Sequence, residues 1–222
     1  GAQQADLGGY QGHGSWAIPQ GALISWALMM EGAVQINALG ERFHDETQGY
    51  SEAAVHVLAQ PNGIVWNIFD DPLLKFAQEF PDFADAQAAR AVHSFKDIES
   101  LANFIGCDAN KLTHTLSVVR EGLDVATGRI FKRSLSLPLH AIRVTGALFH
   151  TQGGLDINAR CQVLRSDGSV FPNLMAAGGA ARGVSGNAVW GYLSGNGLLS
   201  AIAGGYIAAH TAKEELGDSI CC

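Results

Sequence analysis

The chain has little charge of either sign and no run of one sign. Only 16% of its 222 residues are charged, with 14 Lys or Arg against 21 Asp or Glu and a formal net charge of −7. Without a basic stripe there is no electrostatic footprint for a nucleic acid. The longest apolar stretches, such as Gly21–Met30, are too short to span a bilayer. No charged start followed by an apolar core marks a signal peptide, and the opening Gly-Ala-Gln-Gln reads as a cut end. The four cysteines, Cys107, Cys161, Cys221 and Cys222, lack metal-ligand spacing, so no metal site is expected and the adjacent terminal pair reads as a loose tail. Neither a P-loop nor an Asn-x-Ser/Thr sequon occurs. A soluble protein of the cytoplasm is the expectation, with the periplasm left open. What is present is apolar: 47% of residues, enough for an ordered core in one large or two small domains.

Up to Phe149 the pattern is mixed. Ala33–Asn37 is extended-prone, and Ala38-Leu39-Gly40 turns the chain toward Arg42-Phe43, which suggests a hairpin. Tyr50–Gln60 has helical spacing and stops at Pro61, and Gly63–Phe69 reads as a buried strand. Asp97 and Asp108 stand where they can cap two short helices, the first ended by Gly106 and the second by Gly122. Residues 123–138 read as irregular, and His140–Thr145 as a strand. Beyond Phe149 the texture changes. Leu155–Leu164 reads as a hairpin, Phe171–Ala177 as a short buried strand, and a helix is expected from Gly195–Leu198 to about Glu215. The expected fold class is α+β, with one unit over residues 10–149 and a strand–loop–helix segment over 150–222 that needs a further sheet to pack on.

Gly12-His-Gly14-Ser-Trp-Ala17 fits the dinucleotide pattern of glycines, but its setting does not. No strand is expected over Asp6–Gln11, and Pro19 and Gly21 deny it a following helix. The run Gly178–Gly186 differs, because it follows a strand and precedes a long helix. Gly178, Gly179, Gly183 and Gly186 allow backbone to approach something flat and bulky. The helix start near Gly195-Asn196-Gly197-Leu198 presents free N–H groups suited to partial negative charge. A glycine turn that only packs helix on sheet is an equal reading at this stage. His150-Thr151, before Gly153-Gly154, can project from a sheet edge toward a cavity; a lone His is more often structural. Tyr50 and Tyr192 read either as functional phenols or as half-buried packing residues. The carboxylates Asp45-Glu46 and Asp70-Asp71 read as caps rather than an acid–base pair.

Taken together, Val34–Glu46, Ile64–Asp70, the helix pair over Asp97–Glu121, His150-Thr-x-Gly-Gly154, Pro172–Gly178 and Gly195–Leu199 resemble the fumarate reductase/succinate dehydrogenase flavoprotein superfamily in order and spacing. The resemblance implies a capping, substrate-binding domain over residues 10–149. Residues 150–222 would return into an FAD-binding α/β domain whose front, the pyrophosphate-cradling part, is not in this sequence. It implies hydride exchange between FAD and a substrate carbon lying between the flavin and the capping domain. His150 and Thr151 match the family's substrate-binding His-Thr, and His13 falls where another substrate histidine lies.

The sequence also departs from the family. Where fumarate reductases carry a catalytic arginine, this chain has Tyr50, and Tyr192 stands for a second substrate-clamping arginine. The positions of the usual proton relay fall near Trp26 and Met29, and the flavin-contacting acid is Gly179. Fumarate is thus disfavoured, and the tyrosines resemble the 3-ketosteroid Δ1-dehydrogenase branch. The expected activity is FAD-dependent α,β-dehydrogenation, or its reverse, on a carbonyl- or carboxyl-bearing small molecule. Tyr50 is the expected acid or base with His13 as a variant donor, and His150 and Tyr192 polarise the substrate. Thr151 and Arg182 bind it, and Gly178–Gly186 with Gly195, Asn196, Gly197 and Leu198 shape the flavin site. The alternative is a non-catalytic piece or split-subunit module that holds little FAD alone, exposes an apolar face and pairs as a homodimer.

Overall fold

A computed structural model describes residues 1–217; the Cys221-Cys222 tail lies outside the described residues. The chain forms two units, Gly12–Ala147, and Gly1–Gln11 together with the chain from Leu148 onward. Helices and sheets are mixed, as expected.

The Gly12–Ala147 unit is built on an antiparallel sheet. Its strand order is Ala22–Leu23, Tyr10–Ala17, Leu139–Thr151, Ile64–Asp70, Val34–Asn37, with His93–Phe95 also on Leu139–Thr151. The period-two alternation of a strand gives the sheet two apolar faces. Val65, Phe69, Ile142 and Val144 enter a core with Trp26, Met29 and Phe83. Trp66, Ile68, Leu139 and Ala141 enter another with Leu101, Ile105 and Leu112. The helices on these faces end where side-chain chemistry dictates. Asp97 accepts from Ser100 N–H, and Asp108 from Lys111 N–H, both at 2.8 Å. The first of these helices, Ile98–Ile105, closes on Gly106 in the left-handed region.

Several expectations shift. The strand Tyr10–Ala17 begins within Asp6–Gln11, where none was expected, and it takes in Gly12–Ala17 and runs into a turn and not a helix, in keeping with the reading against a dinucleotide turn there. Val34–Asn37 pairs with Ile64–Asp70 and not with Arg42-Phe43; Asn37 Oδ1 instead gathers the N–H groups of Leu39 and Glu41 into a tight turn. The second capped helix stops at Ser117, before Gly122, and Gly122–Leu123 forms a small hairpin with Ile130–Phe131 in the stretch expected to be irregular.

The other unit is thin. Gln4–Ala5 pairs with Gly154–Leu155, and Gln162–Leu164 with Val170–Met175. The expected Leu155–Leu164 hairpin is reduced to one bridge, Ile157–Val163, because Leu155 takes its partner from the chain's start. Val170–Met175 is a strand but not a buried one, with Leu174 41% exposed. The buried apolar core is Val163, Ala176 and Ala181. The helix Asn196–Leu216 packs on the Gly178–Ala180 turn, and Thr211 Oγ1 ties it to Arg160 O at 2.9 Å.

Candidate functional site

In the second unit, residues far apart in sequence line one hollow of about 430 Å³. They are the corner His150-Thr151-Gln152, the turn Gly178, Gly179, Ala181 and Gly183, and the helix start Asn196, Gly197, Leu198 and Ser200. Two glycines let these walls meet. A Cβ at Gly197 would lie 3.2 Å from His150 Cε1, and one at Gly183 would lie 2.8 Å from Gln152 Oε1. Gln152 was not singled out by the sequence reading. It is buried, its Nε2 reaches His150 Nδ1 at 3.0 Å, and its carbonyl accepts Gly183 N–H at 2.7 Å. His150 Nδ1 also lies 3.1 Å from Thr151 O. An acceptor there suits the Gln152 amide and a donor suits the carbonyl, so the two contacts favour opposite tautomers. The Gln152 contact is the one that can hold a neutral ring with its proton on Nε2. Tyr192 meets the His150 ring edge to face at 5.9 Å.

The helix start supplies donors. Leu199 N–H bonds Gly195 O and Asn196 N–H bonds Leu193 O, each at 3.1 Å. The N–H groups of Gly197 and Leu198 belong to the first turn, whose donors find no carbonyl inside the helix. Acceptors stand beside them: Asn196 Oδ1 and Ser200 Oγ are buried without a hydrogen-bond partner. A hollow with glycine walls and the first-turn donors of a long helix fits a flat, polar-edged ring system. Among the described residues, no Gly-x-Gly-x-x-Gly turn joins a strand to a helix, so the dinucleotide half of a cofactor finds no cradle of that kind.

Other expected site residues lie elsewhere. Gly186 and Gly195, both at positive φ, shape loops and do not line the hollow. Arg182, expected to bind substrate, also stands outside its lining. Its guanidinium is held by Asp6 and Asp156, each at 3.1 Å. Hydrogen bonding to Asp156, then the charge of Asp6, raises its pKa further.

In the Gly12–Ala147 unit, His13 and Tyr50 come together with ring centroids 5.1 Å apart and planes 20° apart. His13 is buried, which lowers its pKa to about 4, and its Nδ1 accepts from Ser15 N–H at 3.2 Å. The proton of the neutral ring therefore sits on Nε2. A polar row crosses the same sheet. His44 Nε2 donates to Gln35 Oε1, Gln35 Nε2 donates to Gly14 O and to Asn67 Oδ1, and Asn67 Nδ2 donates to Ser15 Oγ.

Glu46 is fully buried rather than a surface cap. It accepts from Gln35 N–H, Arg42 and Arg129, and Arg42 also pairs with Asp124. Burial alone would raise the Glu46 pKa, but hydrogen bonding and charge from Arg42, with Arg129, hold it below the usual range. Asp70 does cap, accepting from Leu73 N–H, and also takes a two-pronged pair from Arg133 at 2.9 and 2.6 Å.

Comparisons with known proteins identify the family. The model of the FAD binding domain family matches residues 10–198. A probable fumarate reductase, Ifc3, of Shewanella frigidimarina is 30% identical over 98% of this chain and 37% of its own length. An NADH:fumarate oxidoreductase of Klebsiella pneumoniae is 27% identical over 96% of this chain and 23% of its own. Among solved structures, an open flavocytochrome c3 fumarate reductase superposes with TM-score 0.71 at 28% identity, covering 97% of this chain and 38% of that one. A 3-ketosteroid Δ1-dehydrogenase of Sterolibacterium denitrificans shares the fold, with TM-score 0.74 at 21% identity over 96% of this chain and 44% of that one. The chain thus spans little more than a third of the curated fumarate reductases it matches. It belongs to the FAD-binding fumarate reductase/succinate dehydrogenase flavoprotein superfamily, a family of oxidoreductases whose cofactor is FAD.

Proposed function

We propose that this chain is the substrate-binding part and flavin-facing wall of an FAD-dependent oxidoreductase. Gly12–Ala147 would be the capping unit, and the chain from Leu148 onward part of the flavin domain. The reaction would be α,β-dehydrogenation of a carbonyl- or carboxyl-bearing compound, or the reverse reduction, with fumarate not the substrate. The observation that carries this reading is the single hollow shared by His150-Thr151 and the amino end of the long helix. When bound, FAD supplies a two-electron hydride donor or acceptor at its N5. The N–H groups of Gly197 and Leu198 would hold the ring at the amino end of the helix, where the dipole favours negative charge. His150 and Tyr192, one ring against the other, donate hydrogen bonds to the substrate oxygen, with Thr151 beside them. Tyr50 Oη delivers the proton to the substrate carbon in reduction and removes it in dehydrogenation.

His13 is suited to holding the substrate, not to acid catalysis. With a pKa near 4 it is neutral at pH 7, and its Nε2–H can donate a hydrogen bond without giving up the proton. The case against fumarate is one of charge. A small dicarboxylate needs bidentate arginines, whereas Arg42, Arg129, Arg133 and Arg182 are all engaged by carboxylates. Anaerobic reoxidation of the reduced, FAD-loaded protein tests this. An α,β-unsaturated ketone should reoxidise the flavin and fumarate should not; faster turnover with fumarate defeats the substrate assignment.

A second reading is favoured by the small core of the Leu148-onward unit and by the lack of a pyrophosphate cradle. The polypeptide would be a module that holds little FAD by itself and covers its apolar helix with the remaining flavin domain or a second copy. A yellow, stoichiometrically flavinylated preparation of the 222-residue chain would refute it.

A further inference from the structure

We propose that Ser94 is a base-activated nucleophile that takes an acyl group from a small activated ester, with His140 as its base and Asp71 as the residue that orients the base. All three belong to the Gly12–Ala147 unit and none lines the hollow described above. The inference does not rest on a bound flavin.

Three elements bring the groups together. Ser94, on the strand His93–Phe95, stands directly across from His140 on Leu139–Thr151, so both side chains leave the sheet on the same face. Asp71 opens the helix Asp71–Ala77. Ser94 Oγ lies 2.8 Å from His140 Nδ1, and His140 Nε2 lies 2.8 Å from Asp71 Oδ1. A carboxylate only accepts, so the neutral ring carries its proton on Nε2 and keeps a lone pair on Nδ1. Ser94 Oγ–H donates to that lone pair. Hydroxyl, imidazole and carboxylate thus stand in the order that activates a serine. The two ring nitrogens are exchanged relative to the usual serine hydrolase, but either can act as base once the other is held.

Exposure suits the same roles. His140 is 4% exposed and lies against the Phe69 ring at 5.5 Å, so the base is shielded, whereas Ser94 is open to solvent and to an incoming ester. Ser169 offers a contrast within the chain. It is also exposed, but its Oγ donates straight to Asp167 Oδ1 at 2.6 Å, with no imidazole to take the proton. In the proposed step, Ser94 Oγ bonds to the acyl carbon as that carbon's bond to the leaving oxygen breaks. The hydroxyl proton passes to His140 Nδ1 and then to the departing oxygen, so the ring ends neutral.

The test treats the 222-residue chain with 4-nitrophenyl acetate and follows acetyl groups on the peptides carrying Ser94 and Ser169 by mass spectrometry. Ser94 should react roughly a hundredfold faster than Ser169, the contribution of a positioned base. Ser94→Ala should remove that label and shift the Tm by less than about 2 °C. Asp71→Asn should slow Ser94 by about tenfold or more and leave Ser169 unchanged, a selective effect that a role in joining the strands would not produce. Equal rates at Ser94 and Ser169 reduce the three residues to a strand clasp and overturn the proposal. An unchanged Ser94 rate in Asp71→Asn overturns it as well, because the base is then not held by the carboxylate.

Discussion

At the scale of single residues, the proton step proposed above falls on one of two stacked aromatic partners. Tyr50 and His13 are stacked, yet burial takes His13 out of acid–base chemistry near neutral pH, which leaves the phenol. Tyr50→Phe keeps the ring and the stacking and removes only the hydroxyl, so turnover in the FAD-loaded protein should fall by roughly a hundredfold. Near-normal turnover would take Tyr50 out of the role. His13 and His44 make a second, thermodynamic prediction. Burial lowers both to about 4 from 6.5. Above pH 6.5 each is neutral whether folded or unfolded, and their contribution is fully present. Between 6.5 and 4 the unfolded chain takes up protons that the folded chain refuses, so stability is lost as pH falls, by about 3 kcal/mol per histidine at the limit. Urea unfolding across that window should show uptake of close to two protons, and close to one in His44→Gln, which keeps a donor toward Gln35. An unchanged slope would mean His44 is not the titrating group. That His150 and Asn196 would line one hollow was legible in the sequence because both sit in motifs. Gln152 and Ser200 were not, because nothing in their local sequence reveals that the fold strands or fixes their polar atoms.

At the scale of elements, legibility followed the range of the interaction. The helices Ile98–Ile105 and Ala109–Ser117 could be read because their caps, Asp97 and Asp108, act on N–H groups three residues away. The Tyr10–Ala17 strand could not, because it is rich in glycine and its partner, Leu139–Thr151, lies far along the chain. The same limit hid the meaning of Val34–Glu46, read as a family signature. Physically it is a strand, an Asn37-centred turn and a carboxylate driven into the core, where Arg129 arrives from distant sequence. Arg129 also binds Ala33 O and Met29 O at 2.8 and 2.6 Å, and it stacks with Arg42 on Phe131. One carboxylate thus fastens the Val34–Asn37 strand, through Gln35 N–H, to two guanidinium groups. Glu46→Gln preserves the shape and deletes the charge, leaving Arg129 without its carboxylate inside the core and Arg42 with Asp124 alone. The expected cost is about 3–5 kcal/mol in chemical unfolding. A loss below about 1 kcal/mol would show that the hydrogen bonds, rather than the charge, hold the cluster.

At the scale of the whole molecule, the chain's imbalance lies in its second unit. The Gly12–Ala147 unit fills two cores, whereas the one apolar cluster among the described residues of the Leu148-onward unit centres on Val163, Ala176 and Ala181, and much of its long helix is uncovered. Leu198, Ile202 and Tyr206 are 74%, 74% and 67% exposed. Spaced four residues apart, they form one stripe along a helix about 31 Å long. A contiguous apolar stripe of this kind is a surface built to be covered. Hydrophobic gain scales with the area removed from water, at roughly 25 cal/mol per Å², and a self-complementary stripe can satisfy itself about a twofold axis. The isolated chain should therefore self-associate at tens of micromolar, and light scattering should report dimers or larger species. Replacing Leu198, Ile202 and Tyr206 together with Ser removes the driving area while touching none of the buried core. That variant should be monomeric and its unfolding midpoint little changed. If the unaltered chain is already monomeric, the stripe is not sticky enough to pair copies of itself, and its cover must be sought in the rest of a longer flavoprotein.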